Sequence, residues 1–130
     1  MTNRKDIVER RKHKRFQVLS GTFVALLPDY VKLGQIIDIS MGGLAFRYMA
    51  GREPSRGLSL DMFSSDKTFY LGKIPFETIS DFETQDVPFS SLAMRRCGVQ
   101  FGELTHIQIS QLEYFIQNHT IVEMQISHLA

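Results

Sequence analysis

The stretch VKLGQIIDISMGGLAFRY, residues 31–48, decides the fold. Val31, Leu33, Ile37 and Ile39 fall on one parity and Lys32, Gly34, Ile36 and Asp38 on the other, the period of two expected of a half-buried strand. The odd parity is expected to face the core. Met41-Gly42-Gly43 breaks the alternation, and Leu44, Phe46 and Tyr48 then alternate with Ala45 and Arg47. Two antiparallel neighbours joined by a glycine turn are predicted.

The flanks read the same way. FQVLSGTFVALL, residues 16–27, is rich in β-branched and aromatic residues and closes at Pro28-Asp29, which predicts one strand and a turn. Gly51 to Gly57, with Pro54, reads as a loop. Leu58 to Phe63, Phe69 to Ile79 and Ala93 to Phe101 supply three further strands, separated by polar breaks at Ser64-Ser65-Asp66 and Glu83 to Ser91. From Leu104 the apolar residues Ile107, Leu112, Phe115 and Ile116 approach helical spacing, and Thr105-His106-Ile107-Gln108 fits a capping box. An amphipathic helix over 106–118 is predicted, and residues 120–130 read equally as helix extension or strand. Short strands at turn-bounded spacing point to a closed or nearly closed antiparallel sheet with one C-terminal helix.

The 130 residues, 43% of them hydrophobic and including ten Phe and four Tyr, suit one soluble domain with a large aromatic core. A single cysteine, Cys97, allows neither an internal disulfide nor a cysteine-rich zinc site and favours a reducing cytoplasm. No stretch approaches a membrane span, and MTNRKDIVERRKHKR lacks the apolar core of a signal peptide. That opening carries seven basic residues against Asp6 and Glu9, a net +5, while the other 115 residues net −4. Residues 1–15 therefore read as a flexible basic arm on a mildly acidic body, 16–118 as the barrel with its helix, and 119–130 as a tail.

Catalytic signatures are missing: the sequence has no G-x-S-x-G, H-E-x-x-H, P-loop, G-x-G-x-x-G or C-x-x-C. His13, His106, His119 and His128 include no pair at the spacing of a helical metal site, so no metal and no enzymatic activity are expected. Two clusters can carry chemistry. In Glu9-Arg10-Arg11-Lys12-His13-Lys14-Arg15, Arg11 and Arg15 stand four apart with Arg10 adjoining. Guanidinium forks match phosphate oxygens and the O6 and N7 acceptors of guanine. In Asp38-Ile39-Ser40-Met41-Gly42-Gly43, Asp38 and Ser40 share a parity opposite Ile37 and Ile39, which puts a carboxylate and a hydroxyl on the outward surface. A carboxylate accepts N–H groups such as those of guanine, and a glycine at 43 admits a flat ligand near the backbone. Each cluster alone also fits a plainer reading, a solvated charged arm and an ordinary strand-end turn.

Together, R-x-x-x-R before a strand and D-x-S-x-x-G at the end of the next resemble the two-part signature of the PilZ domain family. Arg11 and Arg15 fit the first half, and Asp38, Ser40 and Gly43 the second. The family's usual ending, G-V-x-F and then a helix, is similar to Gly98-Val99-Gln100-Phe101 followed by Leu104 to Asn118. The resemblance spans roughly residues 9–118.

The resemblance implies a six-stranded antiparallel β-barrel with its helix packed on it, and binding of the bacterial second messenger cyclic di-GMP. It implies that Arg11 and Arg15 take phosphate and guanine acceptor edges, Asp38 and Ser40 hold a guanine donor edge, and Gly43 clears space. In the family an arginine at the position of Arg10 accompanies a stacked, intercalated ligand dimer, which implies two ligands per chain. Arg47 shares parity with Gly43 and Ala45 and can add a guanidinium on the same face. The expected role is a cytoplasmic receptor whose arm orders on binding and which signals to a separate, unidentified protein in motility, pilus or biofilm control. Two rival classes stand beside it. One is an adaptor on the same fold that binds no nucleotide; the other is a basic arm binding nucleic acid nonspecifically, although neither DNA nor RNA is the expected partner.

Overall fold

The computed structural model describes residues 13–19, 21–27, 33–49, 59–84 and 94–121. Its elements are β1 (Phe16–Gln17), β2 (Thr22–Leu27), β3 (Leu33–Ile39), β4 (Gly43–Met49), β5 (Ser59–Ser64), β6 (Tyr70–Thr84), β7 (Met94–Phe101) and α1 (His106–His119). Six strands close a ring in the order β3-β2-β5-β6-β7-β4, with β4 returning to β3 and every pairing antiparallel. The short β1 is appended to β3. The chain is thus a six-stranded antiparallel barrel with one C-terminal helix, as the sequence predicts. The Pro28-Asp29 turn, the Gly51–Gly57 loop and the tail beyond residue 121 lie outside the described residues.

The stretch 16–27 is two strands rather than one. β1 pairs with β3 through Phe16↔Ile39 and Gln17↔Asp38, and β2 pairs with the same strand through Phe23↔Gln35, Val24↔Gly34 and Ala25↔Leu33. Between them Gly21 takes φ +92°, a left-handed conformation open to glycine at little cost. Val18 bridges to Thr120, while Leu19 N–H donates to the His119 carbonyl and Ile121 N–H to that of Gln17. The chain entering the barrel is therefore fixed to the end of α1.

The expected parity of β3 holds only at its end. A bulge between Ile36 and Asp38 resets the alternation, so Ile36 is buried, Ile37 is half-buried, and Ile39 is fully buried. Leu33, placed in the core by simple alternation, is 58% exposed. Gly34 faces inward instead, where a β-carbon would come within 2.2 Å of Phe46 Cδ2. One extra residue moves every side chain behind it to the other face.

The core is built from Phe46, Ile39, Leu60, Met62, Ile74 and Val24 of the strands, closed by Leu112 and Phe115 of α1. Burying side chains of this size contributes roughly 1.5–3 kcal/mol each. Phe115 packs on Phe69 at 4.9 Å and stacks on His119 at 5.0 Å, so the helix covers the barrel mouth where β6 begins. Its N-terminus is the predicted capping box: Gln108 N–H donates to Thr105 Oγ1, and Thr105 N–H donates to Gln108 Oε1. Ile107, counted on the apolar face, is instead 71% exposed. Toward the opposite mouth Tyr48 O–H donates to Asp81, which also accepts Arg95 Nε at 2.9 Å.

Candidate nucleotide-binding cleft

Pairing of Phe16 with Ile39 sets Arg15, one residue before β1, beside Ser40, one residue after β3. His13 and Arg15, at the end of the basic leader, and the Asp38–Gly43 turn meet at an open cleft of about 710 Å³, within the usual size range of ligand sites. Arg15 and His13 form one wall; Asp38, Ser40 and Gly42 form another; Arg96 and Gly98 of β7 face them. A bulge between Thr78 and Ser80 pushes Ile79, 61% exposed, onto the cleft rim.

Each sequence-predicted site residue has a definite place. Arg15 is exposed at the cleft, with no carboxylate ion pair among the described residues. Asp38 is half-buried on the cleft wall, and its Oδ2 accepts Arg96 Nη2 at 2.9 Å. Ser40 is buried at the turn, where its Oγ accepts Gly42 N–H at 3.1 Å and its own N–H donates to the Gly43 carbonyl. It shapes the turn as well as lining the cleft. Gly43 lines the cleft too, but its missing side chain answers to the barrel itself: a β-carbon would lie 2.1 Å from the Val99 carbonyl oxygen. Arg47 is absent from the cleft lining and pairs in register with Arg96 one step along β4. Arg10 and Arg11 lie outside the described residues.

Two participants escaped the sequence reading. His13, read as an ordinary surface histidine, lays its ring over Gly42 so closely that a β-carbon there would approach Cδ2 to 2.6 Å. Arg96 was legible by parity: Cys97, Val99 and Phe101 are core residues of β7, so Arg96 and Gly98 alternate outward. Its meeting with Asp38 was not legible, because the two are 58 residues apart and joined only through the register Asp38↔Ala45↔Gly98.

A family model described as the PilZ domain matches residues 9–118, and the chain belongs to the PilZ domain family. Among solved structures it is similar to the PilZ domain with c-di-GMP of YcgR from Escherichia coli, at TM-score 0.60 and 15% identity, covering 92% of this chain and 96% of that one. It is also similar to Escherichia coli YcgR in complex with c-di-GMP (TM-score 0.62, 16% identity, 92% and 49% covered). The K. pneumonia MrkH–c-di-GMP complex gives TM-score 0.65 at 14% identity, with 93% and 56% covered. The chain therefore spans about half the length of those two longer proteins, and at these identities the likeness is one of fold. No curated protein matches it. Among the described residues, no helix is long and apolar enough to cross a membrane.

Proposed function

We propose that the chain is a cyclic di-GMP receptor rather than an enzyme. The observation that carries this reading is the convergence of Arg15, Asp38, Ser40 and Gly43, the two halves of the family signature, on one cleft. Family membership and likeness in fold to three structures solved with c-di-GMP support it.

The ligand has two phosphates and two guanines. Arg11 and Arg15 donate to phosphate oxygens and guanine acceptor edges, Asp38 accepts guanine N–H groups, and Ser40 with Gly43 holds the turn that presents Asp38. Arg10 serves a second, intercalated ligand, and Arg47 approaches from the neighbouring strand position. Phosphate charge neutralises the self-repelling arm and orders it across the barrel face, which changes one surface and is read by a separate cytoplasmic protein. A charge-assisted hydrogen bond contributes about 1.5–3 kcal/mol. Three arginines thus offset the ordering cost and leave an affinity near micromolar, about −8 kcal/mol.

Calorimetric titration of the wild-type chain with cyclic di-GMP tests the reading and gives the stoichiometry. Arg11→Ala and Asp38→Ala should each weaken binding at least about tenfold. A flat wild-type titration would reject the receptor and favour an adaptor; equal affinity for any polyanion with steep salt dependence would favour nonspecific nucleic-acid binding.

A further inference from the structure

The Asp38–Arg96 ion pair has spare hydrogen-bonding capacity on both sides. Asp38 uses Oδ2 on Arg96, and its Oδ1 has no hydrogen bond among the described residues. Arg96 engages Asp38 through Nη2 alone, and no other acceptor meets its guanidinium among the described residues. Both side chains line the cleft and stay partly open, 31% for Arg96 and 21% for Asp38.

The register explains the placement. Ala45 of β4 stands between Asp38 of β3 and Gly98 of β7, and these two small residues leave a flat floor over which the carboxylate reaches the arginine. Arg47 stands directly opposite Arg96, and like charges facing each other across strands repel, which favours turning Arg96 toward Asp38. The cleft thus holds a carboxylate acceptor beside a guanidinium donor.

That order complements the Watson–Crick edge of guanine, where O6 accepts and the adjacent N1–H and N2–H groups donate. Adenine reverses it, offering an amino group where guanine has O6 and a lone pair at N1. We propose that Arg96 is a specificity residue, donating to O6 of a guanine whose N1–H and N2–H groups are accepted by Asp38. The inference rests on the receptor reading and adds base selection to it, because a site built to hydrogen-bond a group rejects the analogue lacking it.

The test is calorimetry on the full chain at fixed salt with cyclic di-GMP, cyclic di-IMP and cyclic di-AMP. The wild type should bind cyclic di-AMP at least about 100-fold more weakly than cyclic di-GMP. Arg96→Met should cost about tenfold or more for cyclic di-GMP and for cyclic di-IMP, which keeps O6 and N1–H, and change cyclic di-AMP by less than about twofold. Arg96→Lys, which keeps a charge beside Asp38 but loses the planar fork, should narrow selectivity less, and it carries the comparison should circular dichroism show that Arg96→Met is unfolded. Equal weakening toward all three ligands, or none, would overturn the role of Arg96 and leave the receptor standing. A wild-type chain that binds none of the three overturns both.

Discussion

Phe16 of β1 is the antiparallel partner of Ile39 of β3. Two residue pairs join these strands, with Val18 N–H donating to the Ile37 carbonyl just beyond them, and they bring the end of the basic leader to the turn that carries Ser40 and Gly43. The fixing of residues 17–19 to the end of α1 holds the same segment from its other side.

Arg15 contributes to that cleft without holding up the barrel, because it is exposed and forms no carboxylate ion pair among the described residues. Arg15→Ala should weaken cyclic di-GMP binding about tenfold or more in calorimetry. The melting temperature of the free chain should move by less than about 2 °C. An unaltered titration curve removes Arg15 from the site.

Gly43 should show the opposite separation. Its absent β-carbon would meet the Val99 carbonyl oxygen at 2.1 Å, so Gly43→Ala must spread β4 from β7, where Gly43 pairs with Gln100. A loss of about 1–3 kcal/mol in urea unfolding is expected even without ligand. Full stability in the variant would mean that the strands stand further apart than described.

Tyr48 makes the far end of the barrel sensitive to alkali. Burial, then its hydrogen bond to Asp81 and that carboxylate's charge, push its phenol up to about 12, with Arg95 opposing. The neutral phenol is the protonated form, so the folded chain holds this proton more tightly than the unfolded chain. The resulting stabilisation is complete below about pH 10 and is lost as pH climbs through about 12. Wild-type stability minus that of Tyr48→Phe, measured by urea unfolding from pH 9 to 12, should fall across that window; a constant difference contradicts it.

Gln108 has two tasks at the helix start. Besides closing the capping box, its Nε2 donates to the carbonyls of Gly72 and Lys73, which fixes α1 to the start of β6. Thr105→Ala should cost about 1 kcal/mol through the cap alone. Gln108→Ala should cost more, and its excess should appear as faster hydrogen exchange near Gly72. Equal losses without that change would restrict Gln108 to the cap.

Local chemistry was legible before the fold was seen. The box at Thr105 and Gln108, the glycine turn between β3 and β4 and the helix over 106–118 each depend on residues within a few positions of one another. The bulge at Ile37 was hidden because Ile36 and Ile37 are both apolar, and a period-two pattern cannot say which turns inward. The break between β1 and β2 was hidden for a related reason: it is short, and Val18 and Leu19 within it pair with the end of a helix about a hundred residues away.

By itself the sequence determined the all-β character, the terminal helix and the identity of the two motif halves, since alternation, capping and side-chain chemistry are local properties. Tertiary structure alone decided that Arg15 and Asp38 share a cleft, that Arg96 joins them, and that Gly43 makes room for Val99. Each of those contacts depends on strand register around a closed barrel, and register is set by the packing of the whole core rather than by any one segment.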